Sequence, residues 1–151
     1  MSPLKETLRS DLTEAIRSRD ELRSATLRMA LTALTNEEVA GTQARELSDD
    51  DVLKVLTREA KRRREAATAY DEAQRPELAE RERAELVVLE GYLPAQLSDE
   101  ELDGLVAEAL AETGATEQKQ MGQVMSAVMP KVAGRADGKR VSAAVRKKLG
   151  S

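Results

Sequence analysis

Apolar residues recur along this chain at helical spacing. Leu4, Leu8, Leu12 and Ile16 return every four residues as one narrow stripe, with Ser2 as a cap and Pro3 in the first turn. Arg17 to Glu21 form a polar junction. A second helix carries Leu22, Ala25, Met29, Ala33 and Asn36, with Leu27, Leu31 and Leu34 widening the stripe. So wide a face predicts burial between two partners. Gly41 ends this helix, and a loop runs to Glu46. Ser48 then caps a third helix, and Asp49, Asp50 and Asp51 sit at the positive end of its dipole. Its stripe is Val52, Val55, Leu56, Ala60, Ala67 and Tyr70, its predicted end is Ala73, and Pro76 enforces a break. The fourth helix is predicted from Glu77 to Tyr92 with Leu78, Leu86, Leu89 and Leu93 as its stripe.

Leu93-Pro94 closes that helix, which divides the chain into an N-terminal domain, residues 1–95, and a C-terminal domain, residues 96–151. Ser98 and Glu101 form a capping box for a fifth helix that buries Leu102, Leu105, Val106, Ala109 and Leu110. Gly114 stands where a left-handed C-terminal cap belongs. A sixth helix is predicted from Glu117 to Met129, with Pro130 near its end. Asp137 caps a last helix, Gly138 to Leu149, packed through Val141, Val145 and Leu149. The expectation is an all-α chain of four long helices followed by three short ones.

Composition supports that class and narrows the chemistry. Of the 151 residues, 23 are Ala and 19 Leu, against 12 Val and Ile together, a balance that favours helix over strand. Cys, His, Trp and Phe are absent, and there are two Tyr. Thiolate and imidazole metal sites, histidine-activated nucleophiles, disulfides and multi-aromatic stacking platforms therefore lack their parts. There is no apolar run of membrane-spanning length and no signal-peptide pattern at the N-terminus, so a cytoplasmic protein with no membrane partner is expected.

Charge is distributed unevenly. The formal net charge is −4, yet residues 1–114 carry 16 Lys+Arg against 26 Asp+Glu, and residues 115–151 carry 8 against only Glu117 and Asp137. A basic tail on an acidic body is suited to steering toward a polyanion. It is equally suited to keeping short helices soluble and to complementing the last helix's dipole. A second basic run, Lys61-Arg62-Arg63-Arg64, sweeps most of the way round the third helix. Glu59 and Glu65 lie within reach of Arg63 and Lys61 at helical spacing, so a salt-bridged solvent face is expected there.

Catalytic motifs are missing: the chain has no phosphate-binding Gly-rich loop and no Gly-x-Ser-x-Gly elbow. Asp49 to Asp51 are accounted for by helix-start chemistry, so neither a metal nor a cofactor is expected. Tyr70 and Tyr92 occupy stripe positions and are expected in the core. The best local candidate spans Met121 to Arg140. Gly122 permits close approach of another backbone or a ligand, and the turn from Ala133 to Gly138 presents amides beside a helix start, with Arg135, Lys139 and Arg140 around it. An ordinary helix–turn–helix connection explains the same residues.

The string MGQVMSAVMPKVAGRADGKRVSAAVRKKL resembles the C-terminal signature of the GatB/YqeY family. Thr26-Leu27-Arg28-Met29, Lys61-Arg62-Arg63-Arg64-Glu65 and Tyr92-Leu93-Pro94-Ala95-Gln96-Leu97-Ser98 resemble the matching upstream motifs in order and spacing. The resemblance covers nearly the whole chain. It implies an N-terminal helical domain and a smaller helical domain similar to the tail of the glutamyl-tRNA(Gln) amidotransferase B subunit, a tail that contacts tRNA. It also implies a tRNA-binding or tRNA-linked accessory role, with an aminoacyl-tRNA synthetase or amidotransferase component as a further partner. The family label of carbon–nitrogen ligase with glutamine as amido-N-donor comes with it, although no residues for that reaction are visible. The nucleic-acid-binding residues so nominated are Gly122, Lys131, Gly134, Arg135, Gly138, Lys139, Arg140, Arg146, Lys147 and Lys148. A helical protein–protein interaction module without RNA binding is the alternative.

Overall fold

Six of the seven α-helices start where a short polar side chain or a proline can satisfy or dispense with the first amides. A computed structural model describes residues 2–150, and among these the chain is all-α with no strand. Helix α1 (Pro3–Arg17) is capped by Ser2, whose Oγ accepts from the Lys5 amide. Helix α2 (Glu21–Glu38) is capped by Asp20, and α3 (Asp49–Glu72) by a Ser48/Asp51 capping box. Helix α4 (Pro76–Glu90) begins on Pro76 itself. The proline expected to break the chain before the helix is its first residue, where a missing N–H costs nothing.

Helix α5 (Asp99–Thr113) has the Ser98/Glu101 capping box and ends on Gly114 at φ +68°. The predicted sixth helix is two elements: a single 3₁₀ turn (Gln118–Gln120), then α6 (Met121–Val132). Pro130 lies inside α6, in its last turn, where only one backbone bond is forfeited before the helix stops. Helix α7 (Gly138–Leu149) is capped by Asp137.

The chain forms two compact units that divide between Leu93 and Pro94. In the first, α3 packs along α4 and α1 along α2, around Leu8, Leu27, Leu34, Val52, Leu56 and Leu89. The stripes are rotated from those read in the sequence. Ile16 is 48% exposed, while Lys5 and Ala15 are buried on α1. On α2, Met29 and Asn36 face out, and Leu27, Ala30 and Leu34 form the buried row. On α4 the buried row is Ala79, Glu85 and Leu89, Leu78 and Leu86 are half-buried, and Leu93, also half-buried, lies beyond the helix end at Glu90. Neither tyrosine is fully buried. Polar anchors explain the rotations. Lys5 Nζ reaches both Glu38 oxygens at 2.9 and 2.8 Å, which turns its side of α1 toward α2. Tyr92 Oη donates to Asp11 at 2.5 Å and accepts from Arg23 at 2.9 Å.

In the second unit α5, α6 and α7 enclose Leu102, Val106, Val124, Val128, Val132, Val141 and Val145. Here the predicted stripes hold, and Val141, Val145 and Leu149 are all buried.

Candidate functional site

Ala133 at φ +50° and Gly134 at φ +78° turn the chain sharply from α6 into α7. Asp137 Oδ1 then accepts from the Lys139 amide and starts α7. This turn is clamped to the segment that enters the same unit. The Leu97 amide donates to the Arg135 carbonyl at 2.8 Å, and Arg135 Nε donates to the Ala95 carbonyl at 2.9 Å. Arg140 Nη2 reaches the Leu97 carbonyl at 2.8 Å and Asp99 at 2.9 Å. Two of the nominated arginines therefore spend their donors inside the protein. Lys131 is also engaged: its Nζ lies 2.7 Å from Glu112, a contact that holds the ammonium above the usual lysine range. Gly122 and Gly138 have no atom of the chain within 4 Å of the position a Cβ would take, so neither glycine is required by a close internal approach.

These contacts change the charge picture. From Pro94 onward the chain holds 8 Lys+Arg and 8 Asp+Glu, because the acidic α5 lies in the same unit as the basic tail. The N-terminal unit carries 16 against 20. No acidic body therefore faces a basic tail domain; the separation of charge lies within the second unit. Asp99, Glu101 and Glu112 neutralise Arg140, Arg135 and Lys131, in that order.

What remains basic is the outer side of α7, whose sequence GKRVSAAVRKKL has five cations and no acid. At about 100° per residue, Lys139, Arg146 and Lys147 fall opposite the buried Val141, Val145 and Leu149, around the exposed Ala143. Lys139 and Arg146 stand nearly above one another, about 10 Å apart along the axis. Lys148 is exposed but lies round toward the packed side. Among the described residues, Lys139, Arg146 and Lys148 form no ion pair. The ten nominated positions thus separate into a three-cation face, a structural clamp and two open glycines, with Lys131 paired, Gly134 in the turn and Lys148 at the margin.

Sequence reasoning missed a second cluster, in the N-terminal unit. Along its own helix the run pairs through Arg62, 3.7 Å from Glu59, and not through the expected Arg63 and Lys61. Arg63 and Arg64 cross to α4. Arg63 Nε lies 3.0 Å from Glu85 and 3.6 Å from Glu82, and Arg64 Nη2 lies 3.6 Å from Glu90. Arg81 Nε donates to the other Glu85 oxygen at 3.1 Å, and Arg63 Nη2 donates to Met29 Sδ of α2 at 3.4 Å. Glu85 is 7% exposed, a carboxylate held between two guanidiniums. Its only signal in the sequence was a charged residue inside an apolar row.

Burial and then the charge of Glu85 push the Glu82 carboxyl above the usual carboxylate range. A raised folded-state pKa means that the fold favours the neutral acid. That contribution is complete below about pH 4.5, the unfolded value, and disappears as pH rises through the folded one. Glu82→Gln, which makes the neutral state permanent, is accordingly expected to melt higher than the parent at pH 7 and to level the dependence between pH 4.5 and 7. A lower midpoint at pH 7 in calorimetry would contradict this.

Asp49 to Asp51 serve the fold. Asp49 Oδ1 accepts from Ser2 Oγ and from the Leu4 amide, and Asp51 Oδ2 from the Ser48 amide and Arg45. No helix among the described residues is long and apolar enough to cross a membrane.

With this arrangement in view, comparison with known proteins gives one family. The family model described as Yqey-like protein matches residues 5–149, and the chain belongs to that family. A protein of Pyrenophora tritici-repentis named "Altered inheritance of mitochondria protein 41, mitochondrial" is 31% identical over 150 residues, 95% of this chain and 80% of its own length. An uncharacterized protein of Schizosaccharomyces pombe is 30% identical over 64% of this chain and 76% of its own length. The Lachancea thermotolerans protein of the same mitochondrial name is 29% identical over 70% of this chain and 57% of its own length.

Proposed function

From its place in the YqeY-like family and from the outer face of α7, we propose that this chain is a tRNA-binding accessory protein that grips RNA through phosphates. The observation that carries the reading is the acid-free outer side of α7, where Lys139, Arg146 and Lys147 share one face. The resemblance of the tail string to the tail of the amidotransferase B subunit supplies tRNA as the polyanion. Cations 10 Å apart along a straight helix suit phosphates of one strand, and the absence of Trp and Phe argues for recognition by shape and backbone rather than by stacked bases. Arg135 and Arg140 act at one remove: they hold α7 to the entering segment and so keep its outer face in place. The amide-transfer label stays outside the proposal, which rests on the cations of α7.

Three neutralised phosphates predict a shallow salt dependence. Affinity for bulk tRNA is expected to fall about 20- to 40-fold between 50 and 200 mM salt, a log–log slope of about −2 to −3. A filter-binding titration checks this. No retention at about 50 mM salt would remove the RNA reading, and a slope steeper than about −5 would require a larger interface than this face. The proposal needs a compartment that contains tRNA. The cytoplasm meets that condition and so does the mitochondrion for which two relatives are named. Retention of a protein partner after nuclease treatment, with no RNA bound, would favour the protein-interaction alternative.

A further inference from the structure

The junction around Arg63 has an unused capacity. Its side chain is 15% exposed, and the buried Nε, although 3.0 Å from Glu85, makes no aligned hydrogen bond. Its Nη2 donates to the sulfur of Met29, and a thioether is a weak acceptor. Met29 itself is 38% exposed, so small solutes reach it. With no cysteine in the chain, reversible thiol oxidation is not open to this protein, and methionine is its reversibly oxidisable side chain.

We propose that Met29 is a peroxide-responsive modification site whose sulfoxide is captured by Arg63. In the reaction the sulfur attacks one oxygen of hydrogen peroxide. The O–O bond breaks, an S–O bond forms, and the departing hydroxide takes the proton released from the transferred oxygen and leaves as water. The thioether is oxidised by two electrons and the peroxide is reduced by two. Methionine oxidation usually weakens a fold by placing a polar oxygen among apolar groups. At Met29 the new oxygen forms beside an under-satisfied cation at the edge of solvent. A weak N–H···S contact becomes a charge-assisted N–H···O one. The product fastens α2 to the α3–α4 pair more firmly than the reduced side chain does. Met129 is an internal control, with the same 38% exposure and no hydrogen bond to its sulfur among the described residues.

The full-length protein and a Met29→Leu variant are treated in parallel with hydrogen peroxide, and sulfoxide at each methionine is read by peptide mass spectrometry. Thermal unfolding is followed by tyrosine signal. Tyr70 and Tyr92 both lie in the N-terminal unit, so that signal reports the unit containing Met29. Oxidised parent protein is expected to melt about 3 °C or more above its reduced form, a shift of the size one added charge-assisted hydrogen bond gives in a unit of this length. Methionine sulfoxide reductase should return it to the reduced midpoint, and Met29→Leu should show no shift. The proposal is overturned if Met129 oxidises while Met29 stays reduced, if the parent midpoint falls or does not move, or if Met29→Leu shifts equally. None of these outcomes depends on RNA binding.

Discussion

Glu85→Ala is expected to destabilise the N-terminal unit by about 3 kcal/mol, at the lower end of the cost of removing one partner from a buried ion pair. The carboxylate is 7% exposed and stands between Arg63 and Arg81. Its loss leaves Arg63, whose side chain is 15% exposed, with the more distant Glu82 at 3.6 Å as its remaining carboxylate. Arg81 is 43% exposed and turns to water, so the penalty falls on Arg63 alone. Urea unfolding followed by tyrosine signal measures it. The double variant Glu85→Ala/Arg63→Met should recover a large part of the loss, because an uncharged side chain of similar length leaves no buried charge behind. If the single variant lost less than about 1 kcal/mol, Arg63 would have to find water or another partner, and the junction would not be the interior feature described above.

Reversing the outer face of α7 with Lys139→Glu, Arg146→Glu and Lys147→Glu is expected to lower tRNA affinity at about 50 mM salt by two orders of magnitude or more. Three phosphate contacts are removed and three repulsions replace them. The fold should survive, since these side chains lie opposite the buried row of α7. Arg140→Ala makes the informative contrast. Arg140 ties Leu97 and Asp99 to α7, so its loss should lower the melting midpoint of the second unit. Measured below that midpoint, its affinity for tRNA should change less than about 3-fold, as for a residue that touches no phosphate. If Arg140→Ala abolished binding in a folded protein while the triple reversal left it intact, the interface would lie at the clamp instead of on the outer face.

The two units differ in how far they could be read in advance. The second was legible almost throughout. Val141, Val145 and Leu149 follow helical spacing and are buried, and the Ser98/Glu101 box and the Gly114 cap stand as expected. Three helices, each with a single apolar stripe around one small core, leave little choice of which side turns inward. The first unit was legible in its elements and less so in its faces. Ile16 and Met29 were assigned to the core and lie outside it, while Lys5 and Glu85 lie within. A helix with apolar residues on several sides can rotate by tens of degrees at little hydrophobic cost. The decision then passes to polar anchors such as Lys5–Glu38 and Tyr92–Asp11.

Taken alone, the sequence determined the all-α class, the helix starts and the charge-rich surface, because capping, propensity and dipole complementarity act among residues three or four apart. The tertiary structure decided which cations face outward. By sequence order the tail was basic and the body acidic. The fold placed the acids of α5 in the tail's own unit, spent Arg135, Arg140 and Lys131 on internal contacts, and left Lys139, Arg146 and Lys147 facing outward. Pairing between helices depends on how each is turned about its axis and on which neighbour it meets, and spacing along one chain does not carry that information.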